Sequence, residues 1–254
     1  VEDVFGMGQT VLTPPPPRIE EPPLAPLPPA LVLALEVPYW ELARRLSRAD
    51  LATLTDTDTY VGALACAGGT GQLNWQLATG PASADLEAVA PEDYAPLLTL
   101  GQALPASEAD AVAVPVTALA QHERLAVGDY AYLVDAAGAP REAVAILAFD
   151  ATAGTVDLAR GVLDTTPQAH AAGTRLVGVG EWLAAETTER VPGESVFVAA
   201  VPRTASAEGD TVLAANGAPI VLAGRQARPY PPGRIRLNGQ TEPAVVAGDL
   251  TLTW

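Results

Sequence analysis

Alternation of apolar and polar residues is the strongest structural signal in this chain, and it is clearest across residues 141–179. Residues 144–149 form an apolar run, whereas Val156 and Leu158 alternate with polar neighbours. A repeat of two residues is the pattern of a strand that buries one face. We therefore predict two strands in this region, joined by a tight turn at Ala153-Gly154.

Short segments of the same kind recur through the second half of the chain, separated by glycine, proline and aspartate turns. Five of them lie close together, at residues 111–116, 130–134, 141–149, 154–159 and 174–179. This spacing predicts a mainly β protein built from small barrel-like or sandwich β-domains, with a barrel-like sheet here. Further strands are predicted at 182–183, 195–201, 211–213 and 219–222, the last two as a hairpin around Ala215-Asn216-Gly217.

One short helix is predicted near the start of the chain, over residues 39–54. Its leucines, Leu42, Leu46, Leu51 and Leu54, recur at the spacing of one helical face. Pro38 precedes the segment, as is common where a helix begins.

A β-hairpin is predicted directly after this helix. Residues 60–67 and 72–79 have strand character, and Gly68, Gly69 and Gly71 lie between them. The glycines could also suggest a loop that holds a phosphate. No Lys-Ser/Thr pair follows them and no helix is predicted there, so a turn is the better interpretation.

The N-terminal segment has a different composition. Residues 14–17 are four consecutive prolines, and five more follow by residue 29. Proline fixes φ and lacks the backbone donor, so helix and central strand are excluded and an extended segment over residues 1–36 is predicted. A linker or a strap along a neighbouring surface is preferred to a ligand for an SH3 domain.

The charge balance narrows the possible partners. The 254 residues include 14 basic ones, all arginine, against 30 acidic ones, for a net charge of -16. Such a surface repels nucleic acid phosphates and anionic membranes, so we expect no nucleic acid binding. The densest basic cluster, Arg225, Arg228, Arg234 and Arg236, is interrupted by prolines and is interpreted as solvated strand edges.

The cysteine count argues against disulfide-bonded and cysteine-based zinc proteins, and the hydropathy argues against a membrane-spanning helix. The single cysteine, Cys66, cannot form an intrachain disulfide or a cysteine-based zinc site, and its apolar surroundings predict a core position. No apolar run approaches the roughly 20 residues that span a bilayer. Because the strand-like alternation continues up to Trp254, we expect the chain to be a piece of a longer polypeptide.

No catalytic or metal-binding motif is found, and we predict neither an enzyme nor a cofactor. HExxH, CxxC and GxSxG are absent, and His122 and His170 lie far apart in the sequence. Asp56-Thr57-Asp58 resembles the start of a calcium loop but lacks its later glycine and glutamate, so a turn role is expected. Three further carboxylates, Glu181, Glu186 and Glu189, carry no recognisable pattern.

A family resemblance appears at the corner that follows the second strand of the 141–179 region. Arg160-Gly161, Asp164-Thr165, Pro167, His170 and Gly173, after a strand carrying Glu142, resemble a module of phage tail proteins. A second stretch, RPYPPGRIRLNG followed by GDLTLTW, is similar to the junction that leads into a fibronectin type III-like domain in tail-tip hub proteins of long-tailed phages and gene transfer agents. DVFG and VPYWEL near the start fit the same proteins.

The resemblance implies a virion structural protein at the tail tip, in the hub or baseplate. Such hubs form homotrimers that contact neighbouring tail-tip and distal tail proteins, close the tail, and support host attachment and genome delivery. Contact with the host envelope is a further implied partner. The alternatives are a carbohydrate-binding or other adhesion module of a surface protein, and an enzyme such as a cell-wall hydrolase.

The motif residues are expected to be structural. Arg160 could donate to strand-end carbonyls or to Glu142, Gly161 and Gly173 permit tight turns, and His170 could hold the loop by a hydrogen bond. Thr165-Thr166-Pro167 predicts one helical turn, and Asp164 completes the motif. A ligand pocket formed by Arg160 and His170 is the rival interpretation.

Five segments are predicted in chain order. They are an extended Pro-rich segment (1–36), a mixed α+β hub segment (37–108), a small barrel-like inserted module (109–180), a β segment returning to the hub (181–226) and the truncated start of a fibronectin III-like domain (227–254).

Overall fold

A computed structural model describes residues 26–163, 165–205, 207–209, 217–228, 236–240 and 247–253. In it the protein consists of stacked β layers. The first strands are β1 (Leu31–Glu36), β2 (Val61–Cys66), β3 (Gln72–Gly80), β4 (Glu87–Glu92), β5 (Leu97–Leu100), β6 (Ala111–Ala120), β7 (Tyr130–Val134) and β8 (Pro140–Asp150). They are followed by β9 (Thr155–Ala159), β10 (Arg175–Gly178), β11 (Ala184–Ala185), β12 (Ser195–Thr204), β13 (Ala218–Val221), β14 (Arg236–Leu237) and β15 (Leu252–Thr253). The prediction of a mainly β fold with a barrel is confirmed.

The barrel is closed by six antiparallel strands in the order β10-β5-β6-β9-β8-β7. Its interior is filled by apolar side chains, so it is a packed core and not a channel. Leu98, Val114, Leu133, Ile146, Leu158 and Leu176 belong to this core. Each buried Leu, Ile or Val contributes about 1.5–3 kcal/mol through the hydrophobic effect.

The barrel begins earlier in the chain than the pattern of alternation indicated. Its first strand, β5, lies before residue 109, in a stretch of mixed polarity. β5 pairs with β10, so the strands at which the chain enters and leaves the barrel are neighbours.

A three-stranded sheet, β1-β2-β11, lies against the outer wall of the barrel. Leu31, Leu33 and Leu35 of β1 share one apolar cluster with Tyr130 and Val177 of the barrel. Every residue of β2 is buried. This sheet is therefore covered on both faces.

A second, four-stranded sheet, β13-β12-β3-β4, covers the opposite face. Val61 and Ala63 of β2 pack there against Trp75 of β3 and Val198 of β12. The Trp75 side chain is fully buried, and its indole Nε1 donates to the Asp93 carbonyl over 3.0 Å. The described strands up to β13 thus form an outer sheet, a middle sheet and a barrel, and β14 and β15 form a separate two-stranded sheet.

The hairpin predicted over residues 60–79 is wrong. β2 pairs with β1 and β11, whereas β3 pairs with β12 and β4 in the outer sheet. The glycine turn carries the chain from one layer to the next, and the Gln72 side chain accepts hydrogen bonds from the amides of Gly68 and Gly69. Alternation reveals which face of a strand is buried but not which strand is its partner.

The single helix predicted at residues 39–54 is two short helices, α1 (Tyr39–Arg45) and α2 (Arg48–Leu51). The extended backbone of Leu46 separates them. Ser47 then caps α2, because its hydroxyl accepts from the Asp50 amide at 3.2 Å. Leu42 is buried, and Leu46, Leu51 and Leu54 pack around the same core.

Other predictions have mixed outcomes. β13 pairs with β12, while residues 211–216 of the proposed hairpin lie outside the described residues, as do residues 1–25 of the Pro-rich segment. β14 and β15 pair with each other, and Asn238-Gly239 lies in the turn after β14. Thr165-Thr166-Pro167 forms no helical turn. Within the described ranges, the helices are too short or too polar to cross a membrane.

Candidate functional site

Two adjacent strands of the barrel bring opposite charges into its interior at one end. On β8, Glu142 continues the inward-facing row of Val144 and Ile146. On β9, the inward-facing Leu158 is followed two residues later by Arg160. Because side chains alternate along a strand, both charged groups point toward the barrel core.

Glu142 and Arg160 form a buried bidentate ion pair. Arg160 Nε lies 2.7 Å from Glu142 Oε1, and Nη2 lies 2.8 Å from Oε2. The side chains are 0% exposed for Glu142 and 1% exposed for Arg160. Two parallel charge-assisted hydrogen bonds fix the relative orientation of the two planar groups.

The remaining hydrogen bonds of the pair reach the loop that follows β9. Glu142 also accepts from the Gly161 amide at 2.9 Å, the Gln168 amide at 3.0 Å and His170 Nε2 at 2.8 Å. Arg160 donates to the carbonyls of Pro105 at 3.1 Å and Gln168 at 2.7 Å. The buried charges are therefore satisfied by protein groups.

His170 is held from both its side chain and its backbone. It exchanges backbone hydrogen bonds with Leu104, of 2.8 Å and 2.9 Å, while its Nε2 contacts Glu142. An ionised carboxylate only accepts, so His170 Nε2 is the donor in that contact. Gly173 adds a bond from its amide to the Leu100 carbonyl at 2.8 Å.

The electrostatics of the site favour an ionised Glu142. Burial alone raises the pKa of this carboxyl group, but the hydrogen bonds from Arg160, His170 and the Gln168 amide outweigh it and lower the pKa to about 2. The group therefore stays charged at any ordinary pH.

The structure brings together four of the five predicted motif residues. Arg160 and His170 meet on Glu142, while Gly161 and Gly173 have φ of 58° and 89°, the left-handed region that favours glycine. The fifth, Asp164, lies outside the described residues.

Sequence reasoning missed Gln168, and it assigned Thr165 to a helical turn instead of to the contact that the structure shows. Gln168 contributes only backbone groups to the charged centre. Thr165 Oγ1 accepts from the Ala143 amide at 2.9 Å and donates to the Val162 carbonyl at 2.9 Å. Backbone contacts leave no pattern of residue types, although a glutamate at an inward position of a predicted strand is a signal of a buried charged partner.

The two glycines should differ in how well they tolerate alanine. A Cβ at Gly161 would lie 2.5 Å from Pro167 Cδ, whereas one at Gly173 meets no heavy atom within 4 Å. We expect Gly161→Ala to lower the free energy of unfolding by about 2–4 kcal/mol, from overpacking and backbone strain together. Gly173→Ala suffers the strain alone and should cost about 1–2 kcal/mol. Urea unfolding of both variants tests this order, and equal losses would contradict it.

Several other candidates take structural positions. His122 lies in the 3₁₀ turn His122–Arg124 with 40% of its side chain exposed, away from Glu142. Asp58 accepts from the Thr55 amide and hydroxyl, which is the expected turn role. Cys66 is buried in the core as predicted, and burial raises the pKa of its thiol to about 12.

A second charged network fastens the segment that follows β11. Arg190 donates to Glu186 at 2.7 Å and to Glu194 at 2.6 Å, and the Thr79 hydroxyl donates to Glu186 at 3.0 Å. Glu186 is buried, so its charge is compensated inside the protein. Glu181 and Glu189 are exposed. No group of three or more His, Cys, Asp or Glu in the described part of the chain could hold a metal ion.

The polar groups of the site are used to connect parts of the barrel. Both oxygens of Glu142 are occupied, Arg160 uses donors from all three of its nitrogens, and neither group faces solvent. The arrangement joins two strand ends, the loop over residues 161–173 and the segment around Leu104. The sequence matches no protein-family model and no curated protein.

Proposed function

We propose that this chain is a structural component of the tail tip of a phage or phage-like particle, part of the hub or baseplate. It would close the distal tail and support host attachment and genome delivery. The proposal rests on the structural role of the motif that resembles a module of tail proteins. Its arginine and histidine fasten a loop to a barrel through Glu142, which suits a part built to bear load.

Sheet edges offer surfaces for neighbouring subunits. Among the described strands, β4 and β13 are the edges of the outer sheet, and they expose Val89 and Val221 by 40% and 65%. Unpaired strand edges with apolar side chains are sites for pairing with another chain. Assembly as a homotrimer, in contact with other tail-tip proteins, is part of the proposal.

The charge of the chain fits a role in genome delivery without DNA binding. A net charge of -16 opposes attachment of phosphates. A tail-tip part that DNA must pass, but not stay on, benefits from such repulsion.

The location can be tested on particles. We expect mass spectrometry of purified particles to detect the chain, and electron microscopy to place it at the distal end of the tail with threefold symmetry. Absence from purified particles would contradict the proposal. Absence combined with binding to cell-surface glycans would favour the adhesion module instead.

The proposed use of the sheet edge has a test of its own. Val221→Asp places a charge on the exposed edge of β13, so it should prevent assembly while the isolated chain keeps its thermal unfolding midpoint. Thr117→Asp, at an exposed position on the barrel, is the matched control. Native mass spectrometry measures the assembly state, and assembly that is unchanged in Val221→Asp would exclude this edge as the contact.

A further inference from the structure

A groove lies at the same end of the barrel as the buried ion pair, on the solvent side of the loop that the pair fastens. Its volume is about 440 Å³. It runs between residues 134–136, which follow β7, and residues 168–175, which lead into β10. Grooves of roughly 300–1,000 Å³ are the usual size for small-molecule sites.

Arg175 brings a positive charge to this groove. Its side chain is half-buried and makes no hydrogen bond or ion pair with any described residue. The carboxylate in the lining, Asp135, is already held at 2.7 Å by Arg141, which also lines the groove, and at 2.9 Å by the Ala139 amide. A guanidinium without a hydrogen-bond or ion-pair partner among the described residues is suited to a planar anionic group such as a carboxylate.

Side chains that can form hydrogen bonds with the hydroxyl groups of a ligand line the same groove. Thr174 and Gln168 line it, together with the small apolar side chains of Ala169 and Ala171. His170 also lines it, and Nδ1, the ring nitrogen not bonded to Glu142, makes no hydrogen bond within the described part of the chain. In the neutral ring this nitrogen is an acceptor, because Nε2 is the donor to Glu142.

We propose that this groove binds an acidic sugar unit, with the sugar carboxylate on Arg175 and its hydroxyls on Thr174, Gln168 and His170 Nδ1. The apolar lining suits the C–H face of a pyranose ring. The assignment rests on the groove alone and does not depend on the proposed place of the chain in a tail tip. It also differs from a pocket formed by Arg160 and His170, because Arg160 is enclosed by Glu142 and backbone carbonyls.

The test uses glucuronate, glucose and inorganic phosphate as probes, titrated into the millimolar range. Saturation-transfer NMR and calorimetry measure binding to the whole chain. We expect glucuronate to bind at least about tenfold more tightly than glucose, since a charge-assisted hydrogen bond is about twice as strong as a neutral one. Arg175→Gln should weaken glucuronate by about the same factor, and Arg175→Lys should restore part of it.

Arg48→Gln is the matched control, since it removes one arginine from an exposed helical position that does not line the groove. It should leave glucuronate binding unchanged. Because the Arg175 side chain has no partner within the described residues, Arg175→Gln should also keep the thermal unfolding midpoint. No glucuronate binding by the natural chain, or equal binding by Arg175→Gln, would overturn the proposal. Phosphate that binds as tightly as glucuronate would reduce the groove to a general anion site and overturn the sugar assignment.

Discussion

Replacing Arg160 with methionine should lower the free energy of unfolding by about 3–5 kcal/mol, because it leaves a buried carboxylate without its counter-charge. Glu142 has no exposed surface and cannot recover hydration when the guanidinium is removed. The carbonyls of Gln168, in the loop after β9, and of Pro105, in the segment around Leu104, also lose the donors of Arg160. Urea unfolding, followed by circular dichroism at pH 7, measures the loss.

The neighbouring arginine provides a control of the same chemistry at the surface. Arg141 pairs with Asp135 at 2.7 Å, but its side chain is 55% exposed. Arg141→Met should therefore change stability by no more than about 1 kcal/mol. Similar losses in both variants would show that burial of the Arg160 pair adds nothing.

A double variant separates the lost charge from the lost shape. Glu142→Gln combined with Arg160→Met keeps one acceptor oxygen, for the Gly161 amide, and removes the isolated charge. The other oxygen, which accepts from the Gln168 amide and from His170, is replaced by an NH2 group. The double variant should be more stable than Arg160→Met alone. If adding Glu142→Gln to Arg160→Met recovers no stability, the isolated charge of Glu142 is not the cause of the loss.

Acid should destabilise the natural chain between about pH 4.5 and pH 2 through the same carboxylate. The pKa of Glu142 is about 2 in the folded state and near 4.5 when the chain is unfolded. The unfolded state therefore binds more protons in this range. The stabilisation is complete above pH 4.5 and disappears as pH falls through the folded pKa, a change of about 3 kcal/mol.

Arg160→Met isolates this contribution from those of other carboxylates, such as Asp135, whose pKa is also lowered by hydrogen bonds from the Ala139 amide and Arg141. In the variant, burial raises the pKa of Glu142, so protonation should relieve the buried charge and the difference in stability from the natural chain should shrink as pH falls. Unfolding free energies at a series of pH values give this difference. A difference that is constant from pH 6 to pH 2.5 would contradict the assigned pKa.

Local patterns in the sequence predict most strands but not their partners. Tyr130–Val134 was predicted with its bounds, because apolar residues there continue to the turns at both ends. β4 and β5 were missed, since their residues show no alternation, and their pairing comes from tertiary contacts. β1 was also missed: Leu31–Glu36 lies in the segment predicted as an extended Pro-rich stretch, but it forms a paired strand. The pairing of β2 with β1 joins segments on opposite sides of two helices, which no local turn signal encodes.

The candidate site could likewise be predicted only in part from the sequence. Arg160 was recognisable as a charge at a strand end, and Glu142 as its partner, since both lie close to a predicted hairpin. Pro105 was not recognisable, because it contributes a carbonyl 55 residues away in the chain. Any residue type could supply that oxygen, so its role is set by the path of the backbone and not by the side chain.

The middle sheet ties together the described strands from β1 to β13. Its two faces are both apolar, and the cluster on the barrel side draws on residues as far apart as Leu31, Leu97, Val177 and Leu183. These residues come from each of the four segments predicted before residue 227. Excision of the barrel would bare the leucines of β1 to water, and loss of the outer sheet would bare β2. A shortened chain cut at either layer would therefore be an aggregating fragment, and the smallest soluble unit should retain all three.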